Sequence, residues 1–330
     1  MKLGPATPVL VTGGAGFIGT HTVRGLLQRG CRVMVIDDLR HPCGQPVPDQ
    51  VELVVTELSS QEAGAAIARF RPHAAVHLAA QGGVSRSVRD PAADALVNVV
   101  GTVALLKFLA DCDCRRLVFA SSGGAIYGRS AQLPSSERAA PKPLSPYGAA
   151  KLAGEGYLGL FRRSFGLHSV ALRYANVYGP FQDGTGEAGV VAITATRLLE
   201  GLAPLINGDG EQTRDFVFVE DIARANLMAL ESDWQGAANI GTGQETSVLE
   251  IVSLLSTMAG YNESFEHQPA RPGEVRRTYL NVSTADRVLG WRPVEPLASG
   301  LAATFASFRD LRRIKDGDSG EASSVGRNTT

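Results

Sequence analysis

Short apolar runs alternate with longer stretches of helical spacing along the first half of the chain. Pro8-Val9-Leu10-Val11 reads as a strand, Phe17 to Arg29 as a helix and Cys31 to Ile36 as a second strand. Val51 to Val55 reads as a third, followed by a helical stretch near Gln61 to Phe70 and the apolar run Ala74 to Leu78. Between Pro91 and Ala110, Leu96, Val99, Val100, Leu105, Leu106 and Leu109 recur at helical spacing and share one broad face. Leu117 to Ala120 and His168 to Tyr174 read as two more strands, with a helix from Pro146 to Arg163 between them. Continuously apolar strands separated by helices of this length predict an α/β fold, a doubly wound parallel sheet covered on both faces.

After about Asn176 the alternation gives way to turn-rich pieces such as GPFQDGTGEAG, NGDGEQ and ARPGE. They predict a smaller α/β substrate-binding domain beside the sheet. The expected division is 1–175 for the first domain and 176–314 for the second, with 214–243 returning to the first. Residues 315–330, almost without apolar side chains, are expected to form a disordered tail.

Bulk composition narrows the function classes. The 330 residues are 44% hydrophobic and 20% charged with a formal net charge of -1, so no basic field points to nucleic acid. No apolar run near 18 residues is evident, so no membrane span is expected. The N-terminal MKLGPATPVLVTGG runs straight into a glycine loop and reads as a strand, not a signal peptide. Only Cys112 and Cys114 of the four cysteines are close in sequence; Cys31 and Cys43 stand apart. That spacing predicts neither a zinc site nor a disulfide framework, and a reducing cytoplasmic setting is expected.

Chemistry enters first at VTGGAGFIG, where Gly13, Gly16 and Gly19 follow the first strand and open a helix. One glycine allows the tight turn, another lets backbone approach a pyrophosphate, and the third lets helix pack on strand. The helix N-terminus offers free N–H groups to phosphate. This is the dinucleotide-binding arrangement of a Rossmann-type sheet. The second strand ends in Ile36-Asp37-Asp38. A carboxylate there accepts both ribose hydroxyls and repels a 2′-phosphate, favouring NAD over NADP, with nearby Arg40 as a counter-signal.

The segment LSPYGAAKLAGE places Tyr147 and Lys151 four residues apart after an N-cap candidate, Ser145, and Pro146, so phenol and ammonium share a helix face. A nearby cation lowers a phenol's pKa from roughly 10 toward neutrality, which makes a general base suited to a hydroxyl proton. SSGGAIYG, residues 121–128, sits at the carboxyl end of a strand, where such sheets bind ligands. Ser122 there can share a substrate oxygen with Tyr147.

Together these residues resemble the extended short-chain dehydrogenase/reductases, the NAD-dependent epimerase/dehydratase family, and within it the bacterial UDP-glucose 4-epimerases. TGGAGFIG, HLAAQ, NVVGT, SSGGAIYG, SPYGAAK, RYANVYGP, GEAGVVAI, GDGEQTRDFVFVEDIA, NIGTG and RPGEV occur in family order over roughly residues 8 to 310. The resemblance implies Ser122, Tyr147 and Lys151 as catalytic residues and NAD as cofactor. It places NAD against Gly13, Gly16, Phe17, Ile18, Gly19, Asp37, Leu39, Glu57 and Leu58, and against Leu78, Ala79, Ala80, Gln81, Asn98, Ser121, Tyr147, Lys151 and Tyr174. For the nucleotide sugar it implies Ser122, Asn176, Gly189, Val190, Ile206, Asn207, Arg214, Arg271 and Glu274. It also implies a homodimer built from the helices at Pro91 to Ala110 and Pro146 to Arg163.

The reaction implied is 4-epimerisation of UDP-glucose or UDP-galactose through a 4-keto sugar. The related dehydratases carry acidic residues just after the serine or threonine; here Gly123 and Gly124 supply neither acid nor base for elimination. Rival readings are 4-epimerisation of UDP-glucuronate, UDP-N-acetylglucosamine or a dTDP-hexose, a 4-ketoreductase, and, in another class, a non-catalytic dinucleotide sensor. The chain departs from the family at Asn207, where an aromatic residue often stacks on uracil, and at Phe181, which replaces an arginine. Glu57 stands for the usual aspartate, and Thr278 for a residue gating bulk at the sugar C2.

Overall fold

A computed structural model describes residues 2–129, 132–184, 189–270 and 274–321 of the chain, with side chains as far as Arg313. The first half runs β1 (Pro8–Thr12), α1 (Phe17–Gln28), β2 (Arg32–Asp37), β3 (Glu52–Val55), α2 (Gln61–Phe70) and β4 (Ala74–His77). It continues through α3 (Val84–Arg89), α4 (Pro91–Ala95), a π-helical turn at Leu96–Val100, α5 (Gly101–Asp111), β5 (Arg116–Ser122), α6 (Gly123–Ile126), α7 (Pro146–Phe165) and β6 (His168–Tyr174). The rest comprises β7 (Asn176–Tyr178), α8 (Val190–Leu199), β8 (Leu205–Asn207), β9 (Thr213–Arg214), β10 (Phe216–Phe218), α9 (Val219–Glu231) and β11 (Gly236–Ile240). It closes with β12 (Thr246–Ser247), α10 (Val248–Ala259), β13 (Glu266–Gln268), α11 (Ser283–Leu289) and α12 (Leu297–Glu321).

Seven parallel strands form the main sheet in the order β11-β6-β5-β4-β1-β2-β3. Side chains on a strand alternate between faces, and here both faces are apolar. Val9, Val11, Val33 and Val35 enter one core with Val23 and Leu26 of α1 and Ile222 and Leu230 of α9. Leu10, Met34 and Ile36 enter the other with Ile67, Leu105, Leu109 and Phe161. Strand order reverses between β1 and β4, so a crevice opens at their carboxyl ends.

The helix expected from Pro91 to Ala110 is broken by its π-helical turn. A π turn re-aims one residue in a helix; here it lies around the buried Asn98. Contrary to the expectation of no such run, Pro91–Asp111 is long and apolar enough to span a membrane by composition. In the protein its α5 part packs against α2 and α7 and puts Leu105, Leu106 and Leu109 into the core.

The chain re-enters the main sheet at β11, which pairs with β6. The shared core extends beyond 214–243, because Ala285 of α11 and Trp291 also belong to it. The second lobe, built on Tyr178, Val191, Phe216, Phe218, Ile251, Leu255, Leu301 and Phe305, is therefore discontinuous in sequence. At the C-terminus α12 continues through Glu321, so 315–321 are helical where a disordered tail was expected from Lys315. Its start is anchored by Leu301 and Phe305, and elongating a nucleated helix is far easier than starting one. The remaining residues of the expected tail, 322–330, lie outside the described residues.

Candidate active site

The loop after β1 builds the cofactor end of the crevice. Gly13 has φ 71° and its N–H donates to Ile36 O at 2.9 Å. A Cβ there would sit 2.5 Å from the backbone nitrogen of Ala79, and one on Gly19 would sit 2.1 Å from Gly13 O. Only glycine lets these segments meet so closely. Gly16 is the N-cap of α1 and supplies no side-chain bond, with no acidic residue in the first turn, so the N–H groups around Phe17 and Ile18 stay available to phosphate.

Asp37 closes this end, accepting from Ala15 N and Leu39 N at 2.9 Å each. Burial pushes its carboxyl up while these two donors pull it down. Leu39, at φ 55°, is exposed just past β2. Arg40, the counter-signal, pairs with Asp38 at 2.5 Å. Glu57 is exposed and 3.5 Å from Arg40; Leu58 packs at the edge of the core, close to Gly101.

Leu78, Ala79, Ala80 and Gln81 leave β4 half-buried along the opposite wall. Asn98 holds them: its Oδ1 accepts from Gln81 N at 2.9 Å and its Nδ2 donates to Gln81 O at 3.1 Å. The Gln81 Nε2 is buried without a partner. An unmet donor on this wall, glycines that a Cβ would block and an uncapped helix terminus fit a dinucleotide. Beneath it, His77 joins Thr12 (Nδ1 to Oγ1, 2.7 Å) and Thr102 (Nε2 to Oγ1, 2.9 Å). Thr102 donates its hydrogen to Asn98 O, so His77 Nε2 is the donor to Thr102 and Nδ1 accepts from Thr12.

This network was not legible in the sequence, where His77 looks like one more strand residue, and it has a consequence for stability. Burial, with Lys151 nearby, depresses the His77 pKa from 6.5 to about 3. The unfolded chain therefore binds this proton first, and the contribution is present above pH 6.5 and lost as pH falls toward 3. The expected loss is about 1.4 kcal/mol per pH unit in that window. Urea unfolding at stepped pH should show it, with a shallower acid slope in His77→Gln.

The catalytic group stands at the end of β5. Ser145 caps α7 by accepting from Gly148 N at 3.1 Å, and Pro146 opens the helix. This turns Tyr147 and Lys151 to the same side. The Lys151 ammonium nitrogen is buried 5.7 Å from the Tyr147 ring centre and 5.2 Å from that of Phe119, within cation–π range. Ser122, the last residue of β5, lies near the Tyr147 phenol and favours its ionised form.

The electrostatics of the pair are set first by burial. Burial dominates the phenol and pushes Tyr147 up to about 12, with the Ser122 hydroxyl opposing and Asp94 adding to the rise. Lys151 is itself drawn down by burial to about 8, with Asp94 opposing. Burial thus works against the charged form of both groups.

Other expected contacts fall into place unevenly. The Ser121 hydroxyl donates to Glu155 at 2.5 Å within a buried Glu155–Arg173–Tyr127–Asn239 network, leaving its backbone to meet a cofactor. The Tyr174 hydroxyl is likewise committed, to Asn226 at 2.5 Å. Asn176 is exposed, its Oδ1 beside Gly124. Gly189 caps α8 without a side-chain bond, and Val190 is its first residue.

Farther out, a cleft of about 180 Å³ is lined by Asn207, Gly208, Asp209, Gln212, Ala270, Glu274 and Arg276. Ile206 is fully buried and does not line this cleft. Arg214 and Glu274 are paired at 2.7 Å. Arg271 lies outside the described residues. Gln212, Asp209 and Arg276 escaped the sequence reading; Arg276 grips Asp209 in a two-pronged pair at 2.7 and 2.8 Å. Phe181, the replacement for arginine, stacks on His21 at 5.4 Å under the Arg24 guanidinium. Among the described residues no cluster of three or more His, Cys, Asp or Glu is placed to hold a metal.

A sequence model of the NAD dependent epimerase/dehydratase family matches residues 9–241. The chain belongs to this family. The family's cofactor is NAD, and the crevice just described fits it. The UDP-glucose 4-epimerase of Mycolicibacterium smegmatis is 42% identical over 307 residues, 91% of this chain and 98% of that one. A solved UDP-glucose 4-epimerase of Thermotoga maritima, with UDP-glucose, superposes with TM-score 0.90 at 42% identity, covering 92% of this chain and 99% of that one. The Thermus thermophilus UDP-glucose 4-epimerase in complex with NAD gives TM-score 0.86, also at 42% identity with 92% and 99% covered.

Proposed function

We propose that this protein catalyses NAD-dependent 4-epimerisation of a nucleotide sugar, with UDP-glucose and UDP-galactose as the substrate pair. The observation that carries this reading is Ser122, Tyr147 and Lys151 gathered at the carboxyl end of β5, with Gly123 and Gly124 directly after the serine. When bound, NAD would supply the two-electron acceptor and donor and, when oxidised, a positive charge in the site. Tyr147 holds and returns the proton of the sugar 4′-hydroxyl, and Ser122 orients that oxygen. Lys151 stabilises the phenolate. No acid follows Ser122 to expel the hydroxyl at the neighbouring carbon, which favours oxidation and return over dehydration.

Two further parts of the reading rest on the surface and the thiols. Val84, Val88, Leu96, Val100, Leu160 and Phe165, on or beside the two helices expected to dimerise, are large and exposed. This supports a homodimer buried across that face. Cys31, Cys43, Cys112 and Cys114 are free thiols, which supports a reducing, cytoplasmic setting.

The test is turnover of UDP-galactose and UDP-glucose by the purified protein without added NAD, followed through the anomeric NMR signals. Approach to one common ratio from both sides is the expected result. Turnover only of UDP-N-acetylglucosamine, UDP-glucuronate or a dTDP-hexose would move the substrate; Asn207, in place of an aromatic partner for uracil, makes the dTDP arm worth including. Inactivity toward every nucleotide sugar with NAD supplied would overturn the reading.

A further inference from the structure

Asp94 is a carboxylate that the sequence does not single out and that the reaction as described does not use. It lies one turn before Asn98, on α4, and only 1% of it is exposed. One oxygen, Oδ1, accepts from Asn98 Nδ2 at 2.9 Å. That bond decides which way the Asn98 amide faces, and Asn98 in turn clamps both backbone groups of Gln81. The other oxygen, Oδ2, is buried without a hydrogen-bond partner. A buried carboxylate with an open oxygen is unfavourable unless a charge nearby compensates it.

The helix carrying Asp94 packs on α7, which carries Tyr147 and Lys151. Asp94 acts electrostatically on both, and Lys151 on Asp94. Against Lys151 stand Asp94 from α4, Tyr147 from its own helix, His77 from β4 and the Phe119 ring from β5. His77 is neutral across the neutral range, so the carboxylate is Asp94 alone among these groups.

We propose that Asp94 is a positioning residue that couples the two halves of the site. One oxygen sets the Asn98 amide that holds the cofactor wall, and its charge keeps the Lys151 ammonium charged beside Tyr147. The same charge opposes the phenolate directly, so Asp94 acts for the reaction through Lys151 and not on Tyr147. The π turn supports the arrangement, since it lies between Asp94 and α5 and includes the Asn98 that Asp94 orients.

The inference rests on the epimerase reading only for its effect on turnover, so its primary test does not use activity. The chain has five lysines, Lys2, Lys107, Lys142, Lys151 and Lys315, so lysine Cε NMR signals can be resolved in the full protein. Lys151 is assigned by its loss in Lys151→Met. The Lys151 signal is expected to titrate in Asp94→Asn at least about one pH unit lower than in the unaltered protein. Asparagine can still accept from Asn98, so the change removes charge and keeps the bond. Asp94→Glu should restore the titration, and Asp94→Ser serves if the asparagine variant is not folded.

In turnover, kcat of Asp94→Asn should fall about tenfold relative to the unaltered protein on the alkaline side. It should approach parity as pH drops and Lys151 charges unaided, with KM changed by less than about twofold. An unchanged Lys151 titration in the variants, or a kcat ratio constant across pH, would overturn the proposal. If the unaltered protein epimerises nothing, the functional reading fails while the lysine titration still decides the role of Asp94.

Discussion

Tyr147→Phe is expected to lower kcat for UDP-galactose epimerisation by about a hundredfold to ten-thousandfold, the range a positioned general base contributes. The ring stays and only the hydroxyl is removed, so the α7 packing that holds Lys151 should survive. Thermal stability should change little, since the ring and its packing in α7 are kept. Bound NAD, measured by denaturing the purified variant and quantifying released nucleotide, should match the unaltered protein. A variant within tenfold of normal kcat would show that another group takes the proton. One that has lost NAD would show that Tyr147 is a binding residue first.

A second large effect is expected at Gly19. A Cβ there meets Gly13 O at 2.1 Å and Gly14 Cα at 2.7 Å, and both contacts are backbone. Nothing can move aside except the loop that faces the pyrophosphate. Overpacking in a tight site ordinarily costs about 1–3 kcal/mol, and a backbone clash lies at or beyond its upper end. Gly19→Ala should therefore be purified without NAD, fail to regain it at saturating cofactor and unfold at lower urea. Gly156 is helical too, with nothing near its Cβ position; Gly156→Ala is the control, and it should leave NAD content unchanged. Equal NAD retention in both variants would mean that the loop adjusts where the structure shows it closed.

Much of this was legible because local and tertiary signals agreed. The central strands β1, β4 and β5 carry continuous apolar runs, and burial on both faces is what such runs require; β3, at the sheet edge, is largely exposed. Ser145, Pro146 and the Tyr147–Lys151 spacing describe a helix start and a shared face in purely local terms, so that half of the site could be read directly. The full extent of the segment that returns to the first lobe could not, because Ala285 and Trp291 join that core only through tertiary packing. Nor could Asp94 or His77: their partners lie on other elements or across a π turn that ordinary helical spacing does not foresee. The environment of the phenol was legible only in part for a related reason. Spacing reveals the nearby cation, while the degree of burial, which dominates here, depends on the assembled fold.

The central claim is that the sugar carbon at position 4 loses and regains the same hydrogen within one closed site. The direct measurement uses UDP-galactose deuterated at that carbon, the protein as purified, and ordinary water. The account predicts UDP-glucose that keeps its deuterium at the same carbon, with no hydrogen drawn from solvent. Product that has exchanged the label for solvent hydrogen would contradict it, because the carbon would then have been inverted by another route.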